Sequence, residues 1–227
     1  MKHYDPEIPV FSLHVPKCGG QSMRRILQEW FGPKFRIHYF QQFNALPPKH
    51  ELEPGLCVHG HFNREKGFGV KTYYPQADQF IAIVRDPLEM ALSNYFFWKR
   101  KERRRRIKLN ILTPGDPDDY TDLDDFFRKR PEARIMEFMP EDMNKSNYRD
   151  YLDRHFVWVG VMDTLDRDIN MLARRLGVRR AVKPPHINSS PRDETLSPAL
   201  ESEFRERNRW LFELVNYVRA KNARENQ

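Results

Sequence analysis

The stretch FSLHVPKCGGQS, Phe11 to Ser22, decides how this chain is read. An apolar run from Ile8 to Val15 ends in a lysine, two glycines and a hydroxyl residue, and a helical pattern follows. Phosphate-binding loops use the same ingredients with the glycines ahead of the lysine. Here Lys17 comes before Gly19 and Gly20. The physics of the turn survives the reversed order. A strand that runs directly into a helix presents free backbone N–H groups at the helix start, and the helix dipole adds partial positive charge there. Gly19 and Gly20 let the main chain approach an anion without a Cβ in the way. Lys17 adds a full charge, and Ser22 can cap the helix or donate to the anion. A phosphate or sulfate site follows on physical grounds; the bland alternative is a tight turn with a surface lysine.

Working outward, Met23, Ile26, Leu27 and Trp30 share one helical face, with Gly32 as the stop signal. Short strands are expected around Phe35–Phe40 and Leu56–His59. QFIAIVRDP holds an almost wholly apolar run from Phe80 to Val84, and Pro87 sits where a new helix begins, with Leu88, Leu92, Tyr95 and Phe96 on its stripe. HFVWVGVM reads as another buried strand. Leu165, Ile169, Leu172 and Leu176 then mark a helix ending at Gly177, and Ser197-Pro198 starts a last helix with Leu200, Phe204, Leu211, Val215 and Val218 on its buried face. The segment from Leu109 to Asp125 is rich in proline and aspartate and reads as a surface loop or insertion. Strands alternating with helices predict an α/β fold, a P-loop-like central parallel sheet with helices on both faces. Residues 1–227 read as a single domain with a basic and acidic insertion around 99–125. In such sheets ligands bind at the carboxyl ends of the strands, where the Lys17 loop lies.

Composition narrows the class. With 39% hydrophobic and 31% charged residues, and no run approaching the ~18 apolar residues of a membrane span, the chain reads as soluble. MKHYDPEIPV has no apolar export core, and two cysteines, Cys18 and Cys57, make no disulfide framework. Together these point to a cytoplasmic, reducing setting, unless the chain is a trimmed lumenal domain. The net charge of +7 favours anionic partners such as nucleotides, polyanionic sugars and nucleic acid.

HVPKCGGQS resembles the 5′-phosphosulfate loop of sulfotransferases, whose carbohydrate-modifying members carry H-I/V-P-K-T/C-G-G-T-S; Gln21 replaces the usual threonine. IVRDPLEMALSNYFF is similar to the same family's 3′-phosphate segment, R-D-P-x-x-R-x-x-S-x-Y, with Arg85 and Ser93 matching and Met90 in place of the second arginine. Arg85 ends a strand and Ser93 lies two turns into the next helix, so both can reach one phosphate. Read alone, Arg85-Asp86 is equally well a surface ion pair ahead of a helix. Two motifs in the right order are far stronger than either, and a fainter likeness runs on through Phe156–Gly177 and the C-terminal helix. The resemblance implies a sulfotransferase that takes 3′-phosphoadenosine 5′-phosphosulfate (PAPS), leaves adenosine 3′,5′-bisphosphate and requires no metal. It also implies cofactor contacts from Lys17, Cys18, Gly19, Gly20, Gln21, Ser22, Arg85 and Ser93, with Arg192 of NSSPRDE as a further basic contact to the 3′-phosphate.

Sulfuryl transfer resembles phosphoryl transfer, so positioning and charge stabilisation dominate. Lys17 suits the charge on the leaving oxygen, and Ser93 can restrain that lysine until the acceptor arrives. The attacking hydroxyl needs a base, and histidine suits neutral pH. CVHGHFNREKGFGVK supplies His59 and His61 at a strand end. It resembles the HGH segment of uronosyl 2-O-sulfotransferases, which implies His61 as base and His59 as a helper or substrate contact; two structural histidines are the alternative. No suitably spaced Cys or His accompanies this pair, which argues against a metal site. GDPDDYTD reads as a solvated acidic loop, since it lacks the glycine and glutamate of a calcium loop. A lysine beside Cys18 would lower its thiol pKa, a reading that stands next to that of a small loop residue.

KRKERRRRIK, Lys99 to Lys108, has eight basic residues in ten. It is either a solvated face or an acceptor groove for an acidic sugar; poor aromatic interleaving argues against nucleic acid. The acceptor is accordingly expected to be a hydroxyl of a saccharide, acidic groups included. Two rivals remain at this level. A small-molecule kinase lacks its G-x-x-x-x-G-K-S/T here, and a polyanion-binding protein would depend on Arg103–Arg106 and be indifferent to Lys17.

Overall fold

The computed structural model describes residues 1–39, 46–109, 120–178 and 192–225, with the backbone alone over 101–109. Five strands form one parallel sheet in the order β2-β3-β1-β4-β5. They are β1 (Val10–Leu13), β2 (Phe35–His38), β3 (Cys57–Gly60), β4 (Phe80–Val84) and β5 (Phe156–Val161). Four of the five are buried at every residue, as strands covered on both faces must be, which is why they read as apolar runs. Phe11, beneath the Lys17 loop, packs its ring 5.0 Å from Tyr74 and 6.3 Å from Phe80; burial of one such ring contributes about 2–3 kcal/mol.

The helices are α1 (Gly20–Phe31), α2 (Val70–Tyr73), α3 (Pro87–Leu109), α4 (Leu123–Lys129), α5 (Tyr148–His155), α6 (Leu165–Arg175), α7 (Pro198–Arg207) and α8 (Arg209–Glu225). α1 buries Met23, Ile26 and Leu27 and stops at Gly32, as its spacing predicts. From the central strand β1 the chain moves out to β2 and β3 on one side, then crosses to β4 and β5 on the other. That change of direction opens a crevice at the carboxyl ends of β3, β1 and β4.

Three sequence expectations need revision. The C-terminal helix is two helices, because the side chain of Asn208 accepts from the Ala133 N–H at 2.8 Å and donates to the Pro131 and Phe204 carbonyls at 2.8 Å, interrupting the ladder. The basic run does not follow the Ser93 helix; α3 continues through it to Leu109. The stretch from Leu109 to Asp125 is not all loop: Asp122 caps α4, its Oδ1 accepting from the Asp125 N–H at 2.8 Å, and Leu123 is buried. Residues 110–119 lie outside the described residues.

Candidate functional site

Strand alternation places Ser12 and His14 of the β1 stretch on one face, and the pairing of Ser12 with His59 puts His59 and His61 on that same face. Three imidazoles consequently stack. His14 lies between His59 (centroids 5.3 Å apart, planes at 15°) and His61 (4.2 Å, 23°). His61 bonds through Nδ1 to the His14 carbonyl at 2.7 Å. A carbonyl only accepts, so Nδ1 carries the proton and the His61 lone pair sits on Nε2. Burial lowers the His61 pKa, which keeps that lone pair available at neutral pH. Burial likewise presses His14 down to about 2 and His59 to about 3, so both rings are neutral. His14 shares a 2.7 Å hydrogen bond with the Tyr39 hydroxyl, and His59 shares one of 2.8 Å with Ser12 Oγ.

The loop packs onto this stack. Lys17 takes a left-handed backbone, φ 66°, alone among the described non-glycine residues. Such a conformation costs a side-chain-bearing residue roughly 1–2 kcal/mol. Gly19 follows in the same region (φ 74°) and is the N-cap of α1, so Ser22 lies inside the first turn and does not cap it. At Gly20 a Cβ would fall 1.8 Å from His14 Nε2, so only glycine lets the helix start rest on that ring. Lys17 Nζ lies 4.1 Å from the centre of the half-exposed Phe97 ring. Its pKa is lowered to about 8, by burial first and then by Arg100 and Arg85. Cys18 is buried and its thiol is pushed up to about 12, which removes the activated-thiol reading. Gln21 is exposed.

At the end of β4, Arg85 donates Nη1 to the Lys17 carbonyl at 3.3 Å and pairs Nη2 with Glu89 at 3.2 Å. Arg192 reaches the same carboxylate through two bonds of 3.0 and 2.6 Å. Ser93 is half-buried on α3. Beside the loop opens a narrow cleft of about 50 Å³. Met90, Ala91, Phe126 and Phe138 line it, with Lys17, Arg130 and Arg134 as its cations. Phe138, a wall of this cleft, lies 5.6 Å from the His61 ring.

The sequence profile of the sulfotransferase family matches residues 3–221. The chain belongs to the sulfotransferase family. Among solved structures it is similar to the crystal structure of mouse sulfotransferase SULT7A1 complexed with PAP, with TM-score 0.51 and 13% identity, over 96% of this chain and 82% of that one. At that identity the likeness shows the fold alone. No curated protein matches by sequence. The chain is thus a PAPS-dependent sulfotransferase on an α/β fold, and among its described residues no helix is long and apolar enough to cross a membrane.

In this sulfotransferase Lys17, Gly19, Gly20 and Arg85 meet at one crevice, with His61 next to the loop and Arg192 tied to Arg85 through Glu89. His59 is only 1% exposed and lies behind His14, a burial that does not suit the expected substrate contact. Lys99 of the basic run is committed to Asp193 (2.8 Å) and Glu194 (2.6 Å); side chains 101–108 lie outside the described residues. Sequence reasoning missed His14, Tyr39 and Glu89. For His14 a signal was present: Ser12-x-His14 and His59-x-His61 are matching polar alternations in otherwise apolar strands, and alternation of period two marks one face.

Proposed function

We propose that this sulfotransferase transfers the sulfuryl group of PAPS to a hydroxyl of an acidic saccharide, with His61 as general base. The observation that carries the reading is the Nδ1–H bond from His61 to the His14 carbonyl, which fixes the tautomer of a neutral ring and leaves its lone pair on Nε2. The residues suit a nucleotide with two anionic ends. Lys17, the amides of Gly19, Gly20, Gln21 and Ser22, and neighbouring Cys18 would hold the 5′-phosphosulfate. Arg85, Ser93 and Arg192 would hold the 3′-phosphate, and the two guanidiniums already grip a carboxylate between them. Bound donor supplies a sulfuryl group attached to a phosphate leaving group. In that arrangement the acceptor hydroxyl gives its proton to His61 Nε2 as its oxygen bonds to sulfur. Lys17 leaves its perch over Phe97 and neutralises the oxygen that departs with the bisphosphate. With lysine and guanidinium groups neutralising charge, the mechanism calls for no metal.

A saccharide acceptor is supported by the motif resemblance, by the +7 charge, and by Arg130 and Arg134 in the lining of the cleft, the second paired with Glu137. The two cysteines are free and buried, in keeping with a cytoplasmic, reducing setting. The test measures sulfate transfer from PAPS to a panel of acidic and neutral oligosaccharides by wild type, Lys17→Ala and His61→Ala. Transfer that favours acidic acceptors and is lost in both variants is expected. Near wild-type transfer by His61→Ala would overturn the assignment of the base, and equal use of neutral sugars would overturn the acceptor class.

A further inference from the structure

Both arginines assigned to the 3′-phosphate hold the same carboxylate. Arg192 gives Nη1 to Glu89 Oε1 at 3.0 Å and Nη2 to Oε2 at 2.6 Å, while Arg85 Nη2 meets Oε2 at 3.2 Å. A planar fork of guanidinium donors on two oxygens is the geometry by which arginine takes phosphate as well as carboxylate. The main chain at each arginine is also held independently of Glu89. Arg85 follows the buried strand β4 and donates to the Lys17 carbonyl. Arg192 precedes two residues anchored to the helix layer. Lys99 grips Asp193 and Glu194, and Glu194 further accepts from the Tyr95 hydroxyl at 2.9 Å and the Leu123 N–H at 2.8 Å. Glu89, on the first turn of α3, has a side chain 40% exposed, so it can leave its partners for water. It is the one anion between two guanidiniums, the group that another anion can replace.

We propose that Glu89 is a specificity-determining residue whose carboxylate stands between Arg85 and Arg192 where a 3′-phosphate would sit. Nucleotide binding is then an exchange of anions at that pair. The inference rests on the reading of Arg85 and Arg192 as 3′-phosphate ligands. A nucleotide with only a 5′-phosphate leaves the cluster intact and gains nothing from it. A 3′-phosphate ejects the carboxylate and takes both guanidiniums. Return of the carboxylate helps the bisphosphate product leave.

The experiment is calorimetric titration of the full chain with adenosine 3′,5′-bisphosphate and with AMP, for wild type, Glu89→Gln and Arg85→Ala. Unfolding curves of the free proteins check that each variant folds. Glu89→Gln is expected to bind the bisphosphate roughly three- to tenfold more tightly, as fits loss of a half-exposed competing charge, with AMP unchanged. Bisphosphate binding that is unchanged or weaker in Glu89→Gln would sink the proposal, since the carboxylate would then be idle or organising the arginines. Equal tightening of AMP would sink it as well, by showing a general charge effect. The Arg85→Ala arm tests the underlying reading separately: loss of the preference for the bisphosphate is expected, and a retained preference would move the 3′-phosphate elsewhere and remove the basis of the inference.

Discussion

The loop after β1 and the corner after β4 are neighbours, yet they prepare for negative charge in opposite ways. Behind the loop stand three imidazoles, kept neutral by burial and held by hydrogen bonds to Ser12, Tyr39 and the His14 carbonyl. At the corner stand full charges, Arg85 and Arg192, whose combined field the Glu89 carboxylate partly offsets. The first arrangement yields a proton acceptor of fixed tautomer; the second yields a cation pair with an anion that can be replaced. A neutral, buried wall keeps its imidazoles unprotonated, whereas a corner of paired charges, on the proposal made above, sets which ligand is taken. Chemistry and selection are thereby assigned to different physical effects within one crevice.

The largest expected effect falls on the imidazole side. His61→Ala should lower kcat by ~10²–10⁴-fold, about 3–5 kcal/mol of barrier, with little change in bisphosphate affinity. Steady-state kinetics beside calorimetry separates the two quantities, and a parallel loss of affinity would erase the contrast drawn between wall and corner. Next comes Gly20→Ala. A methyl placed 1.8 Å from His14 Nε2 must shift the stack, at a cost of ~1–3 kcal/mol in stability, read as a lower urea midpoint with unchanged slope.

The pH dependence follows from the neutral rings. His14 and His59 have folded pKa values pressed to about 2 and about 3, below the ordinary 6.5. The unfolded chain therefore binds more protons below that value, and stability is lost as pH falls below about 6.5, by up to ~1.4 kcal/mol per pH unit for each ring. Urea titrations from pH 7 to pH 4 measure that slope, which His14→Gln should flatten. On the alkaline side, Lys17 with its pKa near 8 loses charge early, so kcat/KM should decline above about pH 8. The smallest expected effect on stability is that of Lys17→Gly. It relieves a left-handed backbone at φ 66° and removes a partly desolvated charge, so the protein should gain up to ~1 kcal/mol in denaturant melts while transfer is lost. A destabilised Lys17→Gly would show that the strain is not stored in this residue.

The strands that build the crevice were legible because parallel strands buried on both faces leave apolar runs, as in Phe80–Val84 and Phe156–Val161. The loop was legible because its glycines do a backbone job that no other residue does. Other features were set by partners distant in sequence. Asn208 breaks the last helix by bonding to Pro131 and Ala133, and nothing local announces that. Glu89 reads as an ordinary helix-surface acid until Arg192, 103 positions further on, is folded against it. Tyr39 reads as one more aromatic after a strand, and only its bond to His14 gives it meaning. The left-handed lysine was hidden for a different reason: the residue type argues against the conformation, and tertiary contacts override it.

Asn208 does more than end a helix. The main-chain segment it grips, from Pro131 to Ala133, is also a wall of the cleft beside Lys17, to which Glu132 and Ala133 contribute. The joint between α7 and α8 and the mouth of that cleft are accordingly one mechanical unit, with a single amide side chain as the pin. Changes that re-angle the two C-terminal helices would widen or narrow this cleft, proposed above for the acceptor, from the side opposite the β1 loop's Lys17.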